Sequence, residues 1–113
     1  MSAEQVRDLK IKTGAVKRTT KEFLYYFKEL DTEKNRLEKM KADGKDEYDL
    51  KQQENVVSET GVMIPETKKS LQGVVDLLIQ CFDNVGPDLP DESPEKVQAQ
   101  EVLDAAKAAL AAN

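Results

Sequence analysis

The chain has 113 residues, with 17 basic and 22 acidic side chains, a net charge of −5, 39% apolar and 35% charged residues, no histidine and one cysteine. Without histidine there is no imidazole base or imidazole metal ligand, and a lone thiol rules out an internal disulfide or a paired-cysteine metal site. The mixture is too charged for an ordinary α/β core and too apolar for a disordered tail, and its Ala, Glu, Lys, Leu and Gln content is that of long amphipathic helices.

The first element is a predicted helix over residues 4–42. Val6, Leu9, Thr13, Val16, Thr20, Phe23, Phe27, Leu30, Lys34 and Leu37 follow alternating steps of three and four, the spacing of a helix in a coiled coil or bundle. At 1.5 Å per residue this is a rod of about 58 Å. Lys34 falls on the seam and is expected to snorkel near the open end of a hairpin, or to meet an acid of the second helix. Gly44, in Ala42-Asp43-Gly44-Lys45-Asp46, marks a tight turn.

A second helix is predicted over residues 47–85. Leu50, Gln53, Val57, Thr60, Ile64, Thr67, Leu71, Val74, Leu78, Cys81 and Val85 keep the same spacing, and Val56, Met63, Val75 and Phe82 widen the stripe for two neighbours. The pattern runs on both sides of Pro65, which predicts a modest kink rather than an end; Gly61 would make room for the proline ring. Cys81 reads as a small core residue.

Three of the four prolines fall in residues 86–94, a linker. Ser93-Pro94-Glu95 then opens a third helix over residues 94–112, with Ser93 as the capping hydroxyl. Its seam is Ala99, Leu103, Ala106 and Leu110, with Val97 and Val102 beside it. The short connections make all three neighbours antiparallel. The expected fold is therefore all-α, an elongated up-down-up three-helix bundle forming one domain. Its third helix covers only about half of the long hairpin and leaves part of the seam open to solvent or a partner.

Charge is unevenly spread: residues 4–42 are net +4, and residues 47–85 and 86–113 are each net −4. Complementary helices would attract one another, while a net-negative molecule repels nucleic acid. Uncharged apolar runs fall well short of the ~18–20 residues of a membrane span. Met1-Ser2-Ala3-Glu4 does not read as a secretory leader, Ser2 stands where myristoylation needs glycine, and the final Ala-Ala-Asn is not a prenylation box. A reducing cytosol is the expected compartment.

Several residues invite both a structural and a functional reading. Lys10, Lys12, Lys17, Arg18 and Lys21 cluster on the first helix, either as a solvated face paired with acids of the second helix or as a surface that steers an acidic client. Ile11 lies among them, opposite the seam, where an apolar side chain suits a contact surface. Tyr25 and Tyr26 lie off the seam or at its edge and would cover neighbouring helices. Tyr48, Asp49, Lys51, Gln52 and Glu54 open the second helix; Asp49 would serve as a terminal acid or cap, while the amides suit a polar interface. Met63, Ile64 and Pro65 are either a kink with its packing or a bend that offers an adaptable methionine to a client. Isolated carboxylate pairs in turns and single glycines give no catalytic or phosphate-binding pattern, so an enzyme is not expected.

Three stretches carry a resemblance. Leu9-Lys10-Ile11-Lys12-Thr13-Gly14-Ala15-Val16-Lys17-Arg18, Tyr48-Asp49-Leu50-Lys51-Gln52-Gln53-Glu54-Asn55-Val56 and Val62-Met63-Ile64-Pro65-Glu66-Thr67 resemble, in that order, the motifs of the tubulin-binding cofactor A family, also called tubulin-specific chaperone A. The resemblance implies a cytosolic three-helix chaperone with a proline-bent middle helix and no metal, nucleotide or other cofactor. It would capture β-tubulin intermediates released from the cytosolic chaperonin and pass them, through the other folding cofactors, into αβ heterodimers beside the microtubule cytoskeleton. The rival reading is a generic coiled-coil scaffold that completes a multi-helix assembly. Either would exist as a monomer or weak homodimer.

Overall fold

The computed structural model describes residues 3–113; the readings of Met1 and Ser2 lie outside them. Three α-helices follow in order: α1 (Ala3–Ala42), α2 (Glu47–Val85) and α3 (Pro94–Ala112), with a one-turn 3₁₀ helix, Gly86–Asp88, between the last two. They pack as the elongated bundle that the 3-4 spacing predicts, a rod of 64 × 20 × 18 Å.

The turn between α1 and α2 is built from its own residues. Gly44 adopts φ +72°, a left-handed conformation that suits glycine. Asp46, not Asp49, is the N-cap of α2: its Oδ1 accepts the Asp49 main-chain N–H at 2.8 Å. Asp49 occupies the third helical position, where a carboxylate favours the positive end of the helix dipole. In α3, by contrast, Ser93 is the cap by position only. Its hydroxyl makes no capping bond, and Pro94 at the first helical position removes one N–H that a cap would otherwise satisfy. The linker is held by main-chain bonds Leu89 to Gly86 and Ser93 to Pro90, each 3.0 Å, and by Lys96 Nζ, 3.0 Å from Asp91 Oδ1.

The core lies where all three helices meet. Leu9, Val16 and Phe23 of α1 close on Leu71, Val75, Leu78, Cys81 and Val85 of α2 and on Ala99, Leu103, Ala106 and Ala109 of α3. Phe27 meets Phe23 edge to face, with ring centroids 5.1 Å apart. The threonines that interrupt the seam are buried without loss of hydrogen bonding. Thr13, Thr20 and Thr67 donate to the carbonyls of Leu9, Val16 and Met63, four residues back, at 2.7, 2.7 and 2.6 Å. The alanines of α3 bring its backbone close to the hairpin, where a larger residue would hold it away. At 19 residues, α3 is about 28 Å long and spans less than half of the rod. Beyond its reach Leu30, Leu37, Leu50 and Val57 are only half-buried.

Four local readings change. The seam of α1 shifts by one residue near its end: Glu33 is buried, only 5% exposed, and Lys34 is exposed. The 3-4 alternation holds an average of 3.5 residues, whereas a nearly straight helix drifts from it by about 20° per heptad. Val56 and Val97 do not widen their seams but face solvent. Gly61 does not make room for the proline ring; a Cβ there would meet only Leu30 Cδ1, at 4.0 Å. α2 continues unbroken through Pro65, as the pattern on both sides of the proline predicts.

Candidate functional site

The basic stretch of α1 lies in the half of the rod that α3 covers. Its cations are not paired with α2; among the described residues no ion pair joins α1 to α2. Lys10 Nζ lies 3.9 Å from Glu95 Oε1 at the start of α3. Lys12 Nζ lies 2.5 Å from Asp8 Oδ1, one turn back. Asp8 also accepts from Cys81 Sγ at 3.6 Å, so one carboxylate links an α1 lysine to the α2 thiol. The Lys12 ammonium holds the Asp8 carboxyl below its ordinary pKa, and the same hydrogen bond raises that of Lys12. Burial and the neighbouring Asp8 charge push the Cys81 thiol up, which keeps it protonated.

Among the described residues, Lys17, Arg18 and Lys21 have no ion-pair partner. The Arg18 guanidinium lies over the bare backbone of Gly14, where an added Cβ would sit 3.3 Å from Nη1. Ile11 is 61% exposed and, with Arg7, Asp8 and Val85, lines an open hollow of about 420 Å³. On the α3 side, two further hollows of about 210 and 290 Å³ share Lys17 and Gln98, and together they make a groove between α1 and α3.

The other sequence-predicted residues stand elsewhere along the rod. Tyr48 is 70% exposed at the far tip, beside Lys51 and Glu54 in a hollow of about 480 Å³. Asp49 and Gln52 are exposed there too. Met63 and Ile64 are half-buried, with Ile64 packed against the core, while Pro65 is exposed. The 33–53 and 8–81 contacts set the register of the hairpin, so the level of Tyr48 is that of the last turn of α1. Some 20 residues separate that level from Arg18, or roughly 30 Å of helix. The fold therefore sets Lys10 and Lys17 on the α1–α3 groove, Ile11 in a separate hollow with Val85 and Lys12 against Asp8, and it leaves the Tyr48 group and the Met63-Ile64-Pro65 group as separate stations along the rod.

Sequence reasoning missed other exposed apolar side chains, Leu24, Val62 and Leu77. None lies on a periodic stripe that would have marked it. It also missed Glu33. Gln53, at its seam position, is buried and donates to Glu33, a partner that the periodicity of neither helix marks.

None of these hollows is a walled cleft. Among the described residues no group of three or more acidic, cysteine or histidine side chains could hold a metal, and no helix is long and apolar enough to cross a membrane.

A family description, tubulin binding cofactor A, matches residues 4–103. The chain belongs to the tubulin binding cofactor A family. The human tubulin-specific chaperone A is 37% identical over 107 residues, covering 95% of this chain and 97% of that protein. The crystal structure of tubulin folding cofactor A from Arabidopsis thaliana superposes with a TM-score of 0.84 at 36% identity, over 95% of this chain and 99% of that one. The cofactor A structure from Leishmania major, at 26% identity, superposes with a TM-score of 0.83 over 96% and 98% of the two chains. The family match ends inside α3. The family is one of chaperone cofactors, not of enzymes.

Proposed function

We propose that this chain is a tubulin-folding cofactor that captures β-tubulin intermediates released from the cytosolic chaperonin. It hands them, through the other tubulin-folding cofactors, into αβ heterodimer assembly in the cytoplasm, beside the microtubule cytoskeleton. The observation that carries this reading is its likeness, over nearly the whole length of both chains, to proteins described as tubulin-specific chaperones. A slender rod without an enclosed cleft suits capture by surface contact. Lys10, Ile11, Lys12, Lys17 and Arg18 combine charge for steering with apolar area for contact. Tyr48, Asp49, Lys51, Gln52 and Glu54 offer a second contact at the tip, and Met63, Ile64 and Pro65 a third between them. The working unit is the monomer or a weak homodimer.

Gel filtration of the chain mixed with chaperonin-released β-tubulin, and separately with native αβ dimers, tests the reading. A co-eluting complex with the former is expected. Capture of neither would leave a generic helical scaffold as the better description.

A further inference from the structure

The groove between α1 and α3 differs from the other hollows of the rod in one respect: its charge is unbalanced in a particular direction. Lys17 and Lys21, one turn apart, stand along the α1 wall without an ion pair among the described residues. The α3 wall presents Gln98, Val102 and Ala105, with Glu101 at its rim. Thr20 lies at the base with its hydroxyl turned to the Val16 carbonyl, so it offers the groove no free donor. At the end nearer the N-terminus, Lys10 and Glu95 already neutralise one another. The result is an apolar trough with two free cations on one side and a single carboxylate on the other.

We infer that this α1–α3 groove receives an amphipathic helical segment of the client whose apolar stripe carries carboxylates along one edge. The inference rests on the capture function proposed above and assigns it a face, including α3 residues that the sequence did not single out. A helix laid in a trough between two helices buries an apolar stripe against Val102 and Ala105. Carboxylates four residues apart on that helix lie about 5–6 Å from one another, the spacing of Lys17 and Lys21 on α1. Glu101 repels acids from the opposite edge, so the two walls fix which way round the segment lies.

The test is binding of chaperonin-released β-tubulin to the full-length chain, with helicity checked by circular dichroism. Lys17→Glu with Lys21→Glu should weaken capture about tenfold or more and flatten its salt dependence. Ala105→Glu, at an exposed helical position, places a carboxylate in the trough and should weaken capture comparably without loss of helix. Lys28→Glu with Lys107→Glu makes the same change in net charge at exposed positions outside the groove and outside the other proposed contacts, and should leave capture within about twofold. Equal losses in the two lysine pairs would reduce the effect to net charge and overturn the groove. Undiminished capture by the Ala105 variant would overturn it too, with the capture function intact. If the unaltered chain binds no β-tubulin, the functional reading falls and the groove assignment falls with it.

Discussion

Gln53 of α2 donates from Nε2 both to the main-chain carbonyl of Glu33, at 3.0 Å, and to its carboxylate Oε2, at 2.7 Å. Both side chains are buried, at 8% and 5% exposure, and Arg36 Nη1 approaches the other carboxylate oxygen at 3.1 Å. This polar layer sits where α3 no longer covers the hairpin and the apolar seam thins. A hydrogen-bonded pair across two long helices defines their register, because a slip of one turn would leave a buried amide and carboxylate unmatched.

Gln53→Ala should therefore destabilise the fold by about 1–3 kcal/mol, since it leaves the Glu33 carboxylate without its cross-helix donor. Replacing both with leucine should recover most of that loss, because the unmatched group is removed together with its partner. Urea denaturation of Gln53→Leu, Glu33→Leu and the double leucine variant measures the coupling directly. A non-additivity near zero would show that the pair does not act as a unit.

The two helix starts should respond differently to the same kind of change. Asp46→Ala removes a bond to the Asp49 N–H and should cost about 1 kcal/mol. Ser93→Ala removes a hydroxyl that caps nothing and should alter stability by less than about 0.5 kcal/mol. Thermal unfolding of the two variants side by side checks the contrast.

In the core, Phe23→Ala empties a fully buried ring site at the meeting of the helices and should cost about 3–5 kcal/mol. Tyr25, two residues on, is mostly exposed and leans on Tyr26 with ring centroids 5.8 Å apart; Tyr25→Ala should cost under about 1 kcal/mol. Equal losses in denaturant titrations would contradict the assignment of the core face of α1.

Cys81 gives a pH dependence with a definite sign. Its thiol titrates above the ordinary value in the fold, first through burial and then through the Asp8 charge. The folded state therefore holds the proton more tightly than the unfolded chain. The contribution is complete below the ordinary thiol pKa of 9.0 and is lost as pH rises through the folded value. Stability should fall in alkali, and Cys81→Ala should flatten that slope. At 6% exposure, the native thiol should also react with iodoacetamide far more slowly than the unfolded chain at the same pH. Equal labelling rates would place the thiol at the surface.

Much of the architecture was legible because a long amphipathic helix repeats its signal. The steps from Val6 to Leu30 and from Leu50 to Val85 each sample one face many times, and Gly44 and the prolines around Pro87 mark where the face must turn. What could not be read depended on a single residue or a distant partner. Glu33 replaces Lys34 at the interface because its carboxylate finds Gln53, 20 residues away, and periodicity does not encode that partner. The same limit applies to charge. The pairing of Lys12 with Asp8 is local, whereas that of Lys10 with Glu95 follows only from the position of α3. For the candidate surface, the sequence showed which cations cluster but not that α3 builds a trough beside two of them.

Capture at an electrostatically steered surface, as proposed above, needs no chemical step. Sedimentation velocity of the chain with chaperonin-released β-tubulin, across a salt series and with no added ATP, tests it most directly. A faster-sedimenting complex should form at low ionic strength and dissociate progressively as salt rises. A complex that appears only with added ATP, or none at any salt concentration, would rule out capture of this kind.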